Sequence, residues 1–465
     1  MAPDSPSHNM FTSGPLGTVF AKTALPIIFV MSMNGMVTVV DAIFLGIFVG
    51  PEALGAVTLM FPLYMLIIAL SALVANGMSS IVARHLGARR LDDAQAVFAG
   101  AHGLAIIIGV VLILLFLLVG RPLTLLIAGG QQELAGMGHT YLGIIIFFSP
   151  LFFVLSVNSD ALRNEGRVGV MAAMNLLISL ANVGFNYLLI VLMGLGVAGS
   201  AYGTVLAQAL ALGLIIVFRL RVGTLLRPDA LLRHSLVAHW WRIAALGAPR
   251  SLGFVGIALT SAAVIFAIQF VASGSYQVTV AAYGIVTRIM TFAFLPLLGI
   301  SHALQSITGN NYGAALWHRS DGSLRLGMVI ALVYCLLVEI ALVGFAHPLG
   351  ALFVDDTMVA GEVARIMPVM TAMFFASGPL MMITTYFQAI GDAGRAAILG
   401  LSKPYLFSIP LIFLLPAMMG EQGIWLAGPS AEILLFILTI IVLTLTARSK
   451  NLSWGLFMTG RESPQ

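Results

Sequence analysis

Stretches of about twenty apolar residues recur along this chain, and that recurrence restricts its fold more than any other feature. Twelve runs are read, at about 24–49, 55–80, 95–119, 140–158, 169–192, 197–218, 246–271, 279–304, 324–346, 364–388, 396–418 and 424–447. A twenty-residue helix is about 30 Å long, the thickness of a bilayer's hydrocarbon core, whereas a barrel strand needs only about ten residues. The runs therefore predict an all-α integral membrane protein, with each backbone polar group satisfied inside its own helix. Composition agrees: 60% of the 465 residues are hydrophobic and 9% are charged, against roughly 25% charged in soluble domains. A soluble enzyme, a secreted disulfide scaffold and a free nucleic-acid binder are excluded. The net charge of +4 is a matter of loops rather than of nucleic acid. The single cysteine, Cys335, lies in an apolar run, so no intrachain disulfide can form.

Loop charge sets sidedness. Arg84, Arg89 and Arg90 follow the second run, and Arg163 and Arg167 the fourth. Arg219, Arg221, Arg227, Arg233 and Arg242 crowd the connection after the sixth. Arg319 and Arg325 follow the eighth, Arg395 the tenth, and Arg448 and Lys450 the twelfth. Arg121 and Arg365 fall beside loops of the other parity, and Arg288 falls inside a span. Both termini are expected in the cytoplasm. The first fifteen residues are polar and lack a basic segment, so the first run is expected to insert as its own anchor rather than as a cleaved signal.

The halves resemble each other. Ala24-Leu25-Pro26 opens the first span and Gly247-Ala248-Pro249 the seventh. Ser80-Ile81 with His85-Leu86-Gly87-Ala88 has its counterpart in Ser306-Ile307 with Asn311-Tyr312-Gly313-Ala314. Ala161, Gly166 and Arg167 match Ala389, Gly394 and Arg395, and Gly196 and Gly199 match Gly420 and Gly423. The offsets stay between about 223 and 228 residues, and the matches are colinear. Six spans per half gives repeats of equal orientation, related by an axis along the membrane normal. The expected layout is an N-lobe at 1–220, a cytoplasmic linker at 221–242 and a C-lobe at 243–465, with a substrate cleft between the lobes.

These residues resemble a known family. Val82-Ala83-Arg84-His85-Leu86-Gly87-Ala88, Leu162-Arg163-Asn164-Glu165-Gly166-Arg167, Asn182 and Asn186 followed by Gly194-Leu195-Gly196-Val197-Ala198-Gly199, Ala281-Ala282-Tyr283-Gly284 and Gly423-Ile424-Trp425-Leu426-Ala427 occur in the order seen in multidrug and toxic compound extrusion (MATE) transporters. The resemblance covers nearly the whole chain. It implies twelve helices in two pseudo-symmetric six-helix lobes. It also implies export of small organic compounds, often cationic or amphipathic, in exchange for H⁺ or Na⁺, from a bacterial inner (plasma) membrane.

An ionisable side chain at membrane depth is a functional candidate by default. Asp41 lies about eight residues from the outer end of the first span, about 12 Å deep at 1.5 Å per residue. A carboxyl there can carry a proton from one side to the other, or stay charged and hold Na⁺; it can also simply bond polar neighbours at a helix interface. Asn182 and Asn186, four residues apart, share a helix face, and either serve such a site or join helices. The resemblance adds Tyr141 and Thr204 to an ion site of Asp41, Asn182 and Asn186, with Na⁺ held by Asp41, Asn182, Asn186 and Thr204. Some members carry an acid at the position of Asn186, so this chain's site is less negative. Spans seven and ten carry no interior acid, and the chain therefore resembles the branch whose coupling carboxylate lies in the N-lobe.

In the second half, Arg288, Glu339 and Glu432 form a further charge cluster, expected to be an ion pair of Arg288 with one glutamate or a second coupling acid. No cluster of arginine or lysine is read within the spans, which disfavours a polyanionic lipid substrate. Met33, Met36, Met60, Met65, Met290 and Phe292, with Asn158, are candidate cleft residues, since methionine and aromatic side chains repack around varied ligands; packing against lipid or core is the competing reading. Neither a Walker motif nor an HExxH pattern occurs, so no ATP and no catalytic metal is expected. The expected partners are the bilayer and small organic substrates, with no nucleic acid, no cofactor beyond the coupling ion, and a monomer as the working unit. A dedicated lipid or metabolite exporter on the same fold is the alternative.

Overall fold

The structure, a computed structural model, describes residues 9–271, 276–450 and 452–457. The first eight residues of the polar N-terminal stretch and the end of the expected C-lobe lie outside them. The described residues are helical almost throughout, with no strand beyond an isolated Ser453–Phe457 bridge. The elements are α1 (Leu16–Phe44), α2 (Pro51–Gly87), α3 (Leu91–Ile127), α4 (Gln132–Phe147), α5 (Ser149–Asn164), α6 (Val168–Asn186), α7 (Gly196–Val222), the short α8 (Ala230–Arg233), α9 (Trp240–Val271), α10 (Tyr276–Gly313), α11 (Trp317–Gly344), the short α12 (Ala346–Ala351), α13 (Thr357–Thr371), α14 (Phe374–Ile390), α15 (Ala393–Leu401), α16 (Ile409–Met419) and α17 (Glu421–Lys450). Three segments are wound as π-helix: Leu45–Val49 after α1, Tyr187–Leu192 after α6, and Ser402–Ser408 between α15 and α16. Such widened turns often mark functional positions.

Ten helices are long and apolar enough to cross a membrane, and two bent pairs make up the other spans. The bends are α4–α5, by 50°, and α13–α14, by 44°. They occupy the fourth and tenth spans, six apart. The second and eighth spans, α2 and α10, are likewise a matched pair, of 37 and 38 residues. At the first bend Pro150 sits in the opening turn of α5, where its missing N–H removes no helical bond. At the second, Met373 takes a left-handed conformation (φ 71°) and ends the helical ladder.

Contacts divide the chain into two units. One comprises Leu25–Phe254 with the tail up to Ser13; the other comprises Gly14–Ala24 and the chain from Val255. The division thus falls inside α9 and inside α1. In the first unit α2, α3, α4 and α5 pack on one another, α6 pairs with α7, and α7 also meets α4 and α5. The segment between α7 and α9 is bonded to this unit: Gln95 donates to Leu225 O, and Trp240 Nε1 to Gly100 O. At α2 and α9 the backbones nearly touch; a Cβ on Gly247 would stand 1.8 Å from Leu73 O. In the second unit α10 packs on α11, α13 and α14. Its core joins Tyr283, Val286 and Ile289 to Ile366, Met367 and Trp425.

Candidate functional site

Asp41 projects from α1 one turn before the π-helical Leu45–Val49, and Asn186 is the last residue before the π-helical Tyr187–Leu192. The two π segments pack together and against α7. There Asn186 Nδ2 donates to Asp41 Oδ1 at 2.5 Å and to Asn182 Oδ1 at 3.3 Å, and Asn182 Nδ2 donates to Thr204 Oγ1 at 3.1 Å. The i, i+4 spacing of the asparagines on α6 makes this one continuous row from α1 to α7. Asn182 and Asn186 are 2% and 0% exposed, while Asp41 is half-buried. A row of polar groups this dry demands mutual bonding, because an unmet amide in an apolar interior costs about 1–3 kcal/mol.

Two oxygens of the row stand apart. Asn186 Oδ1 is buried with no hydrogen-bond partner, and among the described residues no hydrogen bond reaches Asp41 Oδ2. Nor, among the described residues, does any basic side chain pair with Asp41. Such a buried amide oxygen beside a carboxylate with no counter-charge is the donor set a hard cation takes. Gly203 makes the arrangement sterically possible: a Cβ there would lie 2.1 Å from Asn186 Oδ1. Tyr64 on α2 and Tyr141 on α4 are close enough to feel the charge of Asp41, and Tyr141 packs on the cluster of Leu45, Ala53 and Val197. Tyr64 and Gly203 were not among the expected site residues. Tyr64 follows Pro62 by two residues in the second apolar run, and Gly203 follows Gly199 by four.

The other expected residues divide. Met33 and Met65 are partly exposed and Met36 and Phe292 are exposed, whereas Met290 is partly buried against the second unit's core. Met60 is fully buried and fills the space beside Gly138. Asn158 is also buried: its Nδ2 bonds His102 Nε2 at 2.9 Å, and its carbonyl accepts from Arg219. Met60 and Asn158 are thus core groups here, not cleft groups. Arg219 in turn forms a fully buried ion pair with Glu165 at 3.0 Å, and Glu165 also accepts from Leu226 N. This cluster ties α5, α7 and the following segment together.

In the second unit, the expected pairing of Arg288 with a glutamate is not formed among the described residues. Glu432 on α17 is paired with Lys403 and accepts from Ser377 Oγ at 2.7 Å. Glu339 on α11 accepts the backbone N–H of Met373 at 3.2 Å and of Phe375 at 2.7 Å, capping α14 at the broken tenth span. Each acid has a nearer partner, and Arg288 lies on the exposed face of α10. Lys403 is the overlooked residue. It stands within the eleventh apolar run, and a lysine before a proline in such a run is a readable signal. Arg250, inside the seventh run, was overlooked likewise and lies close to Asp160 and Arg163.

A bundle of ten to twelve membrane-length helices, built as two similar halves with an uncompensated carboxylate at depth, defines a polytopic transporter. The chain belongs to the MatE family, whose profile matches residues 26–188 and again residues 252–414. The two matches start 226 residues apart (252 minus 26), which identifies the internal repeat directly. Members of this family are transporters, not enzymes. The chain is 25% identical over 428 residues to the FAD transporter of Shewanella oneidensis, covering 91% of this chain and 93% of that one. It is 23% identical over 427 residues to the multidrug export protein MepA of Staphylococcus aureus, covering 89% and 90%. Among solved structures, a MOP superfamily transporter from Pyrococcus furiosus shares the fold with a TM-score of 0.86 at 23% identity, covering 96% of this chain and 100% of that one.

Proposed function

We propose that the protein is a cation-coupled exporter that expels small organic, cationic or amphipathic compounds by alternating access, with Asp41 as its coupling carboxylate. The supporting observation is that Asp41 has no counter-cation among the described residues while Asn186 holds one of its oxygens in place. A carboxylate in that setting binds a mobile cation. H⁺ would neutralise Asp41 itself; Na⁺ would take Asp41, Asn186, Asn182 and Thr204 as its oxygen donors. This reading places the coupling in the N-lobe, in a bacterial inner membrane with both termini cytoplasmic and the protein acting as a monomer. A proton crossing 100 mV releases about 2.3 kcal/mol, and one pH unit adds about 1.4 kcal/mol. Together they support a gradient of roughly several hundred-fold for a neutral solute.

The Shewanella oneidensis relative, named as an FAD transporter, favours the second reading, a dedicated exporter of one metabolite on the same fold. Proteoliposome flux separates the two. Wild-type protein is expected to expel several unrelated dyes, to release protons on substrate addition or to run on an imposed Na⁺ gradient, and to lose both on Asp41→Asn. Efflux that persists without any ion gradient removes the coupling, and transport of a single compound selects the dedicated exporter.

A further inference from the structure

The asparagine pair beside Asp41 is part of a longer pattern on α6. Within Val168–Asn186 the polar side chains are Asn175, Ser179, Asn182 and Asn186, spaced by 4, 3 and 4 residues. At 100° per residue all of them fall inside an arc of about 60°. The stripe runs about 16 Å along the helix at 1.5 Å per residue. It leads from Asp41 toward the end of α6 that follows Arg163 and Arg167, the cytoplasmic end on the proposed topology. Polar groups in a membrane-crossing helix are costly, and confining all of them to one line gives that line a purpose.

Burial changes along the stripe. Asn186, Asn182 and Ser179 are 0%, 2% and 2% exposed, whereas Asn175 is partly exposed. At that end Asn175 Nδ2 donates to Ser159 Oγ of α5 at 3.4 Å, and Ser159 is partly exposed too. Joining helices accounts for Asn175 and for Asn182, which donates to Thr204. It does not account for Ser179. That hydroxyl donates to the Asn175 carbonyl of its own helix at 3.1 Å and, among the described residues, accepts no hydrogen bond. Asp160, beside Ser159, is paired with Arg163 at 2.7 Å, so its charge is met and does not trap a cation at this mouth.

We infer that this stripe is the inner half of the coupling ion's route: a neutral seam of amide and hydroxyl oxygens that wets when the protein opens to the cytoplasm and lets the ion leave Asp41 toward Asn175 and Ser159. Neutral oxygens solvate a cation, or order the water that carries a proton, without holding either as a carboxylate would. The inference rests on the exporter reading and adds Ser159, Asn175 and Ser179 to it as positioning residues.

The chain's single cysteine makes the test direct. In a Cys335→Ser background, Ser179→Cys is compared with Leu180→Cys, whose site is 62% exposed on another face of α6. Inside-out and right-side-out membrane vesicles are treated with Ag⁺, a small thiol-reactive cation, and reaction is read as loss of later maleimide labelling in denaturant. From the cytoplasmic side Ser179→Cys is expected to react at least about tenfold faster than Leu180→Cys, since a thiolate forms in a wet polar seam and not in lipid. Should Ser179→Cys fail to fold, Asn182→Cys, one turn deeper, takes its place. In ion-driven dye efflux from proteoliposomes, Ser179→Val is expected to lose about tenfold, and Ser179→Thr, which puts the hydroxyl back on the same branched shape, to recover most of it. Equal silver rates at the two cysteines, reaction from the outer side alone, or equal efflux in the valine and threonine variants overturns the inference. Silver access needs neither substrate nor coupling, so it is read even where Asp41→Asn leaves efflux intact. A dry stripe beside Asp41-dependent efflux removes this inference and leaves the exporter reading standing.

Discussion

The two units each carry a carboxylate at membrane depth, and they treat it in opposite ways. Asp41 is held by one amide, has no basic side chain paired with it among the described residues and is half-buried. Glu432 is 3% exposed, bonded to Ser377 and closed by Lys403, a cation supplied by the chain itself. An ion pair of that kind is already neutral, so a proton or Na⁺ has little charge to bind there. The Asp41 row has no such partner among the described residues, which is why the proposed function assigns the coupling ion to it. On the proposed function, what separates the coupling group from a structural one is whether the fold has already provided its counter-charge, not the presence of a buried acid.

The sharpest way to break this contrast is to neutralise each acid. Asp41→Asn is expected to reduce ion-driven efflux by about 100-fold or more with the protein still folded, whereas Glu432→Gln is expected to act on stability, because it leaves Lys403 unpaired. Flux assays beside melting curves in detergent check both; coupling lost at Glu432 and kept at Asp41 would reverse the comparison. Next in size, Glu165→Ala strands Arg219, and removing one partner of a buried pair costs about 3–5 kcal/mol, so its melting temperature should fall more than that of Asp41→Asn. Replacing Lys403 and Glu432 together by leucine should recover most of the stability lost in Glu432→Gln, as apolar replacements of buried pairs often do.

Gly203→Ala tests the amide row without touching a charge. Its methyl would displace Asn186 and is expected to lower efflux roughly tenfold, in line with about 1.4 kcal/mol of lost interaction. Gly213→Ala on the same helix, where a Cβ meets nothing within 4 Å, should leave transport unchanged. The smallest change sharpens the ion's identity: Asn186→Asp adds a second carboxylate and should tighten Na⁺ binding up to about tenfold, read with ²²Na⁺.

Much of the architecture was legible because a span must be both long and apolar, and all twelve runs lie on observed helices. The helices overrun the runs at their polar ends: α2 continues to Gly87 and α10 to Gly313, since a hydropathy pattern stops where charge begins but helical hydrogen bonding does not. The 44° break at Met373 was not legible, because it sits between Pro368 and Pro379 rather than at either. The pairing of Arg288 failed for a related reason: depth along a helix follows from residue count, but the partner depends on which face meets which neighbour. Glu339 is spent on backbone N–H groups and Glu432 on Lys403, and neither choice leaves a mark in the spacing.

The sequence by itself determined that this chain crosses a membrane repeatedly, that its halves are repeats, and that Asp41, Asn182 and Asn186 stand out, since cost in lipid depends on composition and helix period alone. Only the tertiary structure decided that Asp41 lacks a counter-charge while Glu432 has one, that Gly203 opens the space for Asn186, and that Asn158 belongs to a buried network. Those outcomes turn on contacts between helices distant in the chain, where distances of a few ångströms decide which charges are neutralised and which remain to bind an ion.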